Sequence, residues 1–132
     1  MLSPPTFGTQ PLLIGVALQA LLCESFLRRG ELVSAANVTY LRANDAWSKL
    51  VLDAGTIHWG QLDDEPKAWS VPEEGWAYPH TDVAQEYGLV GLVITRVQVT
   101  SAPQGVRLEL AFSNSRRFVL SNTNDRSAYF VA

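Results

Sequence analysis

The chain has few of the cysteine and histidine residues that crosslink small proteins through disulfides or metal ions. Cys23 is its only cysteine, and its 132 residues include two histidines. A single cysteine excludes an intrachain disulfide and a cysteine-based zinc site. Because Cys23 stands inside an apolar run, we expect it to be a small buried hydrophobe in a protein of a reducing compartment. The core alone must then hold the fold together.

Charged residues are also scarce, at 17% of the chain against 47% hydrophobic residues. This composition excludes wholesale disorder and supplies enough apolar material for one core. The length of 132 residues is close to the commonest size of a single domain. We therefore expect residues 1–132 to form one globular domain.

A hydrophobic run long enough to cross a membrane is missing. The apolar stretch Leu12–Cys23 is shorter than the roughly 20 residues that span a bilayer. No Lys or Arg precedes it, as a signal peptide would require, and Leu22 stands where a lipoprotein has a small residue before its cysteine. We expect a cytoplasmic protein without membrane contact.

Recognisable catalytic motifs are absent as well. The sequence has no Gly-x-Ser-x-Gly elbow, phosphate-binding loop or dinucleotide fingerprint. The adjacent carboxylates at 63–64 and 73–74 would point to opposite sides of an extended chain, and His58 and His80 lack metal-ligand spacing. The sequence thus predicts no catalytic residue, cofactor or metal, and it favours a binding protein over an enzyme.

What the chain does contain is a repeated pattern. Leu-Ile-Gly at 13–15 opens one apolar stretch, and Leu-Val-Gly at 89–91 opens another 76 residues later. Each is followed by segments of alternating polarity that turn at Asp, Asn, Ser or Gly, the pattern of a β-hairpin. Either an ancestral duplication or the general likeness of hairpins would give this pattern.

Alternation predicts two hairpins and three further strands. The alternating residues are Leu50, Leu52, Ile57 and Trp59 around a turn at 53–55, and Leu108, Leu110, Phe112, Phe118 and Leu120 around a turn at 113–115. The further strands are predicted over Val38–Leu41, Val93–Thr100 and Ala128–Val131. In the second of these, the odd-numbered residues should share one face.

The segment Pro11–Arg29 is compatible with two structures. Its first proline, its many Ala and Leu residues and the following Gly30 are typical of a helix. The apolar residues at even positions from 16 to 22 instead indicate a strand, and a short apolar run cannot be assigned by periodicity alone. We favour a strand that begins after Gly15.

A short helix is predicted from residue 81 or 82 to Tyr87, ended by Gly88. Together these elements predict a mainly β or α+β domain with one or two short helices. Two hairpin-centred halves, at about 10–61 and 83–132, should pack around one core.

The connection between the halves, residues 62–82, is acidic and broken by prolines. It holds six acids against Lys67 alone in a chain of net charge −3. The acids are Asp63, Asp64, Glu65, Glu73, Glu74 and Asp82. A negative patch repels phosphate backbones, so we expect no nucleic-acid partner and an attraction to a basic protein. Long ordered loops of this kind are often functional.

Three aromatic residues lie in this acidic loop. As anchors, they would bind a protein partner together with the neighbouring acids. As a lid, they would fold back over one open end of the core, and both roles are compatible if one ring faces inward and the next outward. The predicted binding residues are Trp69, Trp76, Tyr78, Asp63, Asp64, Glu65, Glu73 and Glu74.

The runs Trp47–Trp59 and Gly105–Phe118 each consist of an apolar strand, a turn and a second apolar strand. They resemble small, uncharacterised bacterial β-rich domains, some of which look like the immunity proteins that neutralise toxins exchanged between neighbouring bacteria. The resemblance implies a stoichiometric binder without catalytic residues. Ser-Asn-Ser at 113–115 stands where the pattern has Asp-Gly, and no functional position is carried over.

The leading hypothesis is a non-enzymatic protein-binding module that meets a basic partner through the acidic aromatic loop. One alternative is a small-molecule-binding protein or small enzyme with a pocket at the mouth of the sheets, polarised by His58 or His80. Another is a homodimer in which the acidic loop meets an arginine-rich face of a second copy. That face would contain Arg96, Arg107, Arg116, Arg117 and Arg126.

Overall fold

Two β-sheets make up most of the structure, a computed structural model that describes residues 3–132 apart from the side chain of Ala102. In chain order the strands are β1 (Thr6–Phe7), β2 (Ala20–Arg28), β3 (Glu31–Ala43), β4 (Ala46–Asp53), β5 (Thr56–Leu62), β6 (Trp69–Val71), β7 (Trp76–Tyr78), β8 (His80–Asp82), β9 (Ile94–Ala102), β10 (Gly105–Phe112), β11 (Arg117–Thr123) and β12 (Arg126–Val131). The described helical elements are a 3₁₀ turn, Pro72–Glu74, and one helix, α1 (Val83–Glu86). The prediction of a mainly β fold with a short helix is confirmed.

Each half of the chain contributes a four-strand antiparallel meander. Strands β2 to β5 pair in order in the first sheet, and β9 to β12 pair in order in the second. The first sheet is extended by β1, which runs parallel to β5, and by β6, β7 and β8 on the side of β2. The two predicted hairpins are β4–β5 and β10–β11, and the three further predicted strands fall in β3, β9 and β12.

The repeated tripeptides form two equivalent turns. Leu13 and Leu89 each accept a hydrogen bond from the backbone N–H three residues later, at 3.1 Å in both turns. Gly15 and Gly91 have φ angles of 85° and 86°, the left-handed conformation that a type II turn requires at its third residue. The repeat in the sequence is therefore a repeat in backbone structure.

The two turns also pair with each other. The N–H of Gly15 donates to the carbonyl of Ile94 at 2.7 Å, and the N–H of Gly91 donates to the carbonyl of Leu18 at 2.8 Å. These two bonds are equivalent at the 76-residue offset of the repeat. An approximate two-fold axis between two copies of one unit produces such reciprocity, so the geometry favours duplication. In strand order, β4–β5 then corresponds to β11–β12 rather than to β10–β11.

One hydrophobic core fills the space between the two sheets. In β2, Leu21 and Cys23 belong to this core, so Leu22 and Glu24 lie on the opposite, outer face, as the two-residue period of a strand requires. Burial raises the pKa of the Cys23 thiol to about 12, and the prediction of a buried cysteine is confirmed. Other core side chains are Leu41, Leu50, Leu52, Ile57, Trp59, Leu108, Leu110, Phe112, Phe118 and Leu120.

The segment 11–29 forms a turn followed by extended chain. The strand prediction is therefore confirmed, and the helical alternative is wrong. Strand β2 begins at Ala20, and residues 16–18 bind residues 91–94 through backbone hydrogen bonds. Helix propensity is overridden because Leu18, Leu21 and Cys23 have a core to face and the backbone groups have strand partners. The predicted alternation of even-numbered residues holds at Leu18 but not at Leu22, which lies on the outer face. Helix α1 forms where a short helix is predicted. Within residues 3–132, no helix has the length and apolar character needed to cross a membrane.

A bulge in β9 changes the predicted face of that strand. Thr95 is an extra residue without a counterpart in β10. Val97 and Val99 pack against the core, but Ile94 joins them on this face and Thr95 is exposed. Because a bulge inverts the alternation beyond it, the prediction that Val93 and Thr95 share the face of Val97 is wrong.

Candidate functional site

The acidic connection between the halves is an ordered edge of the first sheet rather than an irregular loop. Residues 69–82, the edge segment, contain β6 to β8; β7 pairs with the end of β2, and β8 pairs with its middle. Pro79 separates β7 from β8, and its carbonyl accepts from the N–H of Ser25 at 2.9 Å. A proline without an N–H is tolerated at a sheet edge, which allows this interrupted pairing.

Strand pairing brings four aromatic residues together on the outer face of the first sheet. This aromatic cluster consists of Phe26 from β2 and Trp69, Trp76 and Tyr78 from the edge segment. The ring of Tyr78 stacks between Trp69, with centroids 4.0 Å apart, and Phe26, at 5.1 Å. Trp76 meets Phe26 edge to face at 6.3 Å. Offset and edge-to-face pairs each contribute about 0.5–1.5 kcal/mol beyond their buried area.

The aromatic cluster is fixed in place but remains open to solvent. Trp69 is 51% exposed and Trp76 is 37% exposed, whereas Phe26 and Tyr78 are half-buried. The cluster therefore presents a contiguous apolar surface of large rings. Phe26 was not singled out from the sequence, because it lies in the long apolar segment whose faces could not be assigned from periodicity.

A buried carboxylate lies beside the cluster on the same face. Glu24 is 3% exposed, and its Oε1 lies 2.9 Å from the Nε2 of His80 in β8. Burial, the charge of Glu24 and a hydrogen bond to its carboxylate raise the pKa of Tyr40 to about 12. No buried side-chain nitrogen or oxygen in the described chain lacks a partner. This polar network therefore fastens the edge segment to β2 and β3.

The predicted acidic residues divide into two groups. Glu73 and Glu74 are exposed in the 3₁₀ turn between β6 and β7, and only Gly75 separates Glu74 from Trp76. The acids at 63–65 precede β6 and line a groove of about 360 Å³ that also contains Lys49 and Lys67. Because both lysines of the chain stand in that groove, its negative charge is partly offset. Of the predicted acids, Glu73 and Glu74 are the ones next to the aromatic cluster. Arg28, the register partner of Trp76, and Arg29, whose N–H donates to the carbonyl of Gly75, lie beside the same turn.

The two histidines lie apart. His58 is in β5, where its ring stacks on Phe7 with centroids 5.0 Å apart and its Nε2 is 2.7 Å from the hydroxyl of Thr56. His80 is in β8, and three strands of the first sheet lie between them. The described residues contain no group of three or more His, Cys, Asp or Glu side chains placed to hold a metal ion.

The strand register places four of the five predicted arginines on the outer face of the second sheet, with Arg116 in the β10–β11 turn, but they do not present free positive charge together. Arg96 and Arg117 both donate to Oε1 of Glu109 at 3.2 Å, and Arg116 donates to the carbonyl of Tyr87 at 3.1 Å. Arg126 lies beside the β2–β3 turn. Most of this charge is therefore engaged within the chain.

The outer face of the first sheet thus combines exposed, preorganised aromatic rings with two exposed carboxylates, Glu73 and Glu74, at their edge. Such a surface can bury rings against another molecule and attract a cation. Comparisons with protein-family models, curated proteins and solved structures find no match for this chain.

Proposed function

We propose that this protein is a non-enzymatic protein-binding module, immunity-like in being a stoichiometric binder, and that its aromatic cluster contacts a basic protein partner. One observation carries the proposal: Trp69 and Trp76 are exposed on a sheet edge where they stack with Tyr78 and Phe26. Tryptophan and tyrosine are enriched among the residues that dominate interface energetics.

The rigidity of the cluster supports binding. Its rings are held by strand pairing and by each other, so they lose little conformational freedom when a partner covers them. Ordering a flexible side chain at an interface costs about 0.5–1.5 kcal/mol, and a preorganised ring avoids most of this cost. The network of Glu24, His80 and Tyr40 serves the same purpose, because it holds β8 against β2.

The charge beside the cluster favours a basic partner. Glu73 and Glu74 lie in the turn that leads into Trp76. Exposed carboxylates accelerate the approach of a positively charged surface, and an arginine or lysine of the partner can then pack on an exposed indole face. The proposed complex therefore depends on salt for its rate of formation and on ring burial for its lifetime.

Affinity capture from the native cell tests the proposal. The bait is used as wild type, as Trp76→Ala and as Phe130→Ala, since Phe130 is a 49% exposed aromatic residue on the second sheet. We expect a basic protein to be retained by the wild type and by Phe130→Ala, lost with Trp76→Ala, and captured more slowly when the binding step is carried out at high salt. Equal retention by all three baits would reject the aromatic cluster as the interface.

A second experiment tests the immunity-like aspect. If the captured protein is toxic when expressed alone, co-expression of this chain should restore growth, and co-expression of Trp76→Ala should not. If the captured basic protein is not toxic, the proposed binding surface is supported and the immunity role is rejected.

A further inference from the structure

A concave surface lies at the turn between β2 and β3, next to the aromatic cluster, because Arg28 is the register partner of Trp76. It encloses about 450 Å³ and spans both sheets, because β12 of the second sheet contributes to its wall. We call it the arginine groove. Its lining residues are Arg28, Arg29, Glu31, Leu32, Val33 and Arg126.

The three arginines of this groove differ from the other arginines of the chain. Elsewhere, guanidinium groups bind Asp45, Glu109 and the carbonyl of Tyr87, or lie over the ring of Phe130. In the described part of the chain, Arg28, Arg29 and Arg126 have no carboxylate within ion-pair distance. Three arginines without a carboxylate partner therefore line one concavity, in which Glu31 is the single acid among the lining residues.

Arg29 is held in position by the backbone. Its N–H donates to the carbonyl of Gly75 at 2.7 Å, and a Cβ atom at Gly75 would lie 2.9 Å from the Cγ of Arg29. Arg29 also has a φ of 52°, at a turn position where Asn, Asp or Gly is favoured. The backbone hydrogen bond and the packing of the Arg29 stem against Gly75 therefore restrict the positions that its guanidinium group can reach.

We propose that the arginine groove binds a small oxyanion carrying at least two negative charges, such as a phosphate ester or a polycarboxylate. Guanidinium groups bind phosphate and carboxylate through paired, charge-assisted hydrogen bonds. An anion would also relieve the mutual repulsion of three cations in one concavity. The volume lies in the range of small-molecule sites, and Leu32, which is 59% exposed, offers an apolar contact to the rest of the ligand.

Calorimetric titration at low ionic strength tests this site, with inorganic pyrophosphate as the probe and citrate as the carboxylate probe. The variants are Arg29→Gln and Arg126→Gln, with Arg107→Gln on the second sheet as the matched control for the loss of one positive charge. We expect the first two to weaken pyrophosphate binding about fivefold or more and the control to change it by less than about twofold. Comparison of the dissociation constants of pyrophosphate and citrate shows which oxyanion the groove prefers.

Glu31→Gln provides a test in which affinity is expected to rise, a result that damage to the structure would not produce. Removing the only acid of the groove should tighten pyrophosphate binding, by about two- to fivefold at low salt. The proposal is overturned if neither probe binds at about 10 mM, if Arg107→Gln weakens binding as much as Arg29→Gln, or if Glu31→Gln has no effect or weakens it.

Discussion

The Nε2 of His80 lies 2.9 Å from the Oε1 of Glu24, and this carboxylate is 3% exposed. The contact joins the edge segment to β2, one of the two strands that begin at the paired turns. A buried carboxylate is tolerated only when its hydrogen bonds are made. This one interacts with both an imidazole and the hydroxyl of Tyr40.

Glu24→Ala should therefore destabilise the protein. The substitution leaves the partly buried His80 ring and the Tyr40 hydroxyl without their acceptor, which costs about 1–3 kcal/mol. Glu24→Gln keeps one acceptor oxygen and should cost less. Denaturant unfolding of both variants measures the difference. A Glu24→Ala variant as stable as wild type would mean that the network does not hold the edge segment.

The paired turns make a second prediction. Gly15 and Gly91 have positive φ angles, and a Cβ atom added at either would have no heavy atom within 4 Å. Substitution by alanine then acts through backbone strain alone. Gly15→Ala and Gly91→Ala should each lower the free energy of unfolding by a similar amount, about 1–2 kcal/mol.

Gly60→Ala is the control for these two substitutions. Gly60 lies in β5, its φ is outside the left-handed region, and an added Cβ would only touch the Cβ of Lys49 at 3.9 Å. Alanine should be neutral there or slightly stabilising, because glycine weakens a strand. Strongly unequal effects at Gly15 and Gly91 would argue against two energetically equivalent turns.

The strands of the two meanders could be predicted because each alternates between a core face and an outer face. Leu50, Leu52, Ile57 and Trp59 all belong to the core, and period-two alternation over several residues is the strongest local signal that a strand gives. The Leu-x-Gly repeat could be recognised for a different reason. A type II turn requires glycine at one position, so two copies of this turn carry glycine at equivalent positions in the sequence.

The candidate site could be predicted only in part. Strands β6, β7 and β8 have three residues each, too few for periodicity, and their pairing with β2 is a long-range contact that no local pattern encodes. The aromatic residues of this segment were recognised by their type. Phe26 was not, and neither was Glu24, although an acid inside an alternating apolar strand is itself a signal of a buried polar network.

Trp76→Ala should separate binding from stability. Trp76 touches Phe26 at one edge and is 37% exposed, so its loss should cost less than about 1.5 kcal/mol. Trp59 is 6% exposed in the core, and Trp59→Ala should cost about 3–5 kcal/mol. Thermal unfolding of both variants gives the comparison. If Trp76→Ala lost as much stability as Trp59→Ala, the indole would be acting as a lid and not as an anchor.

The decrease in the free energy of unfolding at alkaline pH should depend on Tyr40. Burial, and then the charge and hydrogen bond of Glu24, raise its pKa from 10.0 to about 12 in the folded protein. Below pH 10 the phenol is protonated in both the folded and the unfolded chain and has no effect on the pH dependence. Between about pH 10 and 12 the unfolded chain releases this proton first, so the free energy of unfolding falls as pH rises.

Tyr40→Phe should make that fall shallower, because phenylalanine has no proton to release. Cys23 contributes a decline of the same sign, since burial raises its pKa from 9.0 to about 12. Cys23→Ala therefore serves as the companion variant that separates the two contributions. Denaturant unfolding from about pH 8 to 12, a range that covers both titrations, gives the slopes. If Tyr40→Phe left the slope unchanged while Cys23→Ala reduced it, the pKa of Tyr40 would not be raised in the folded protein.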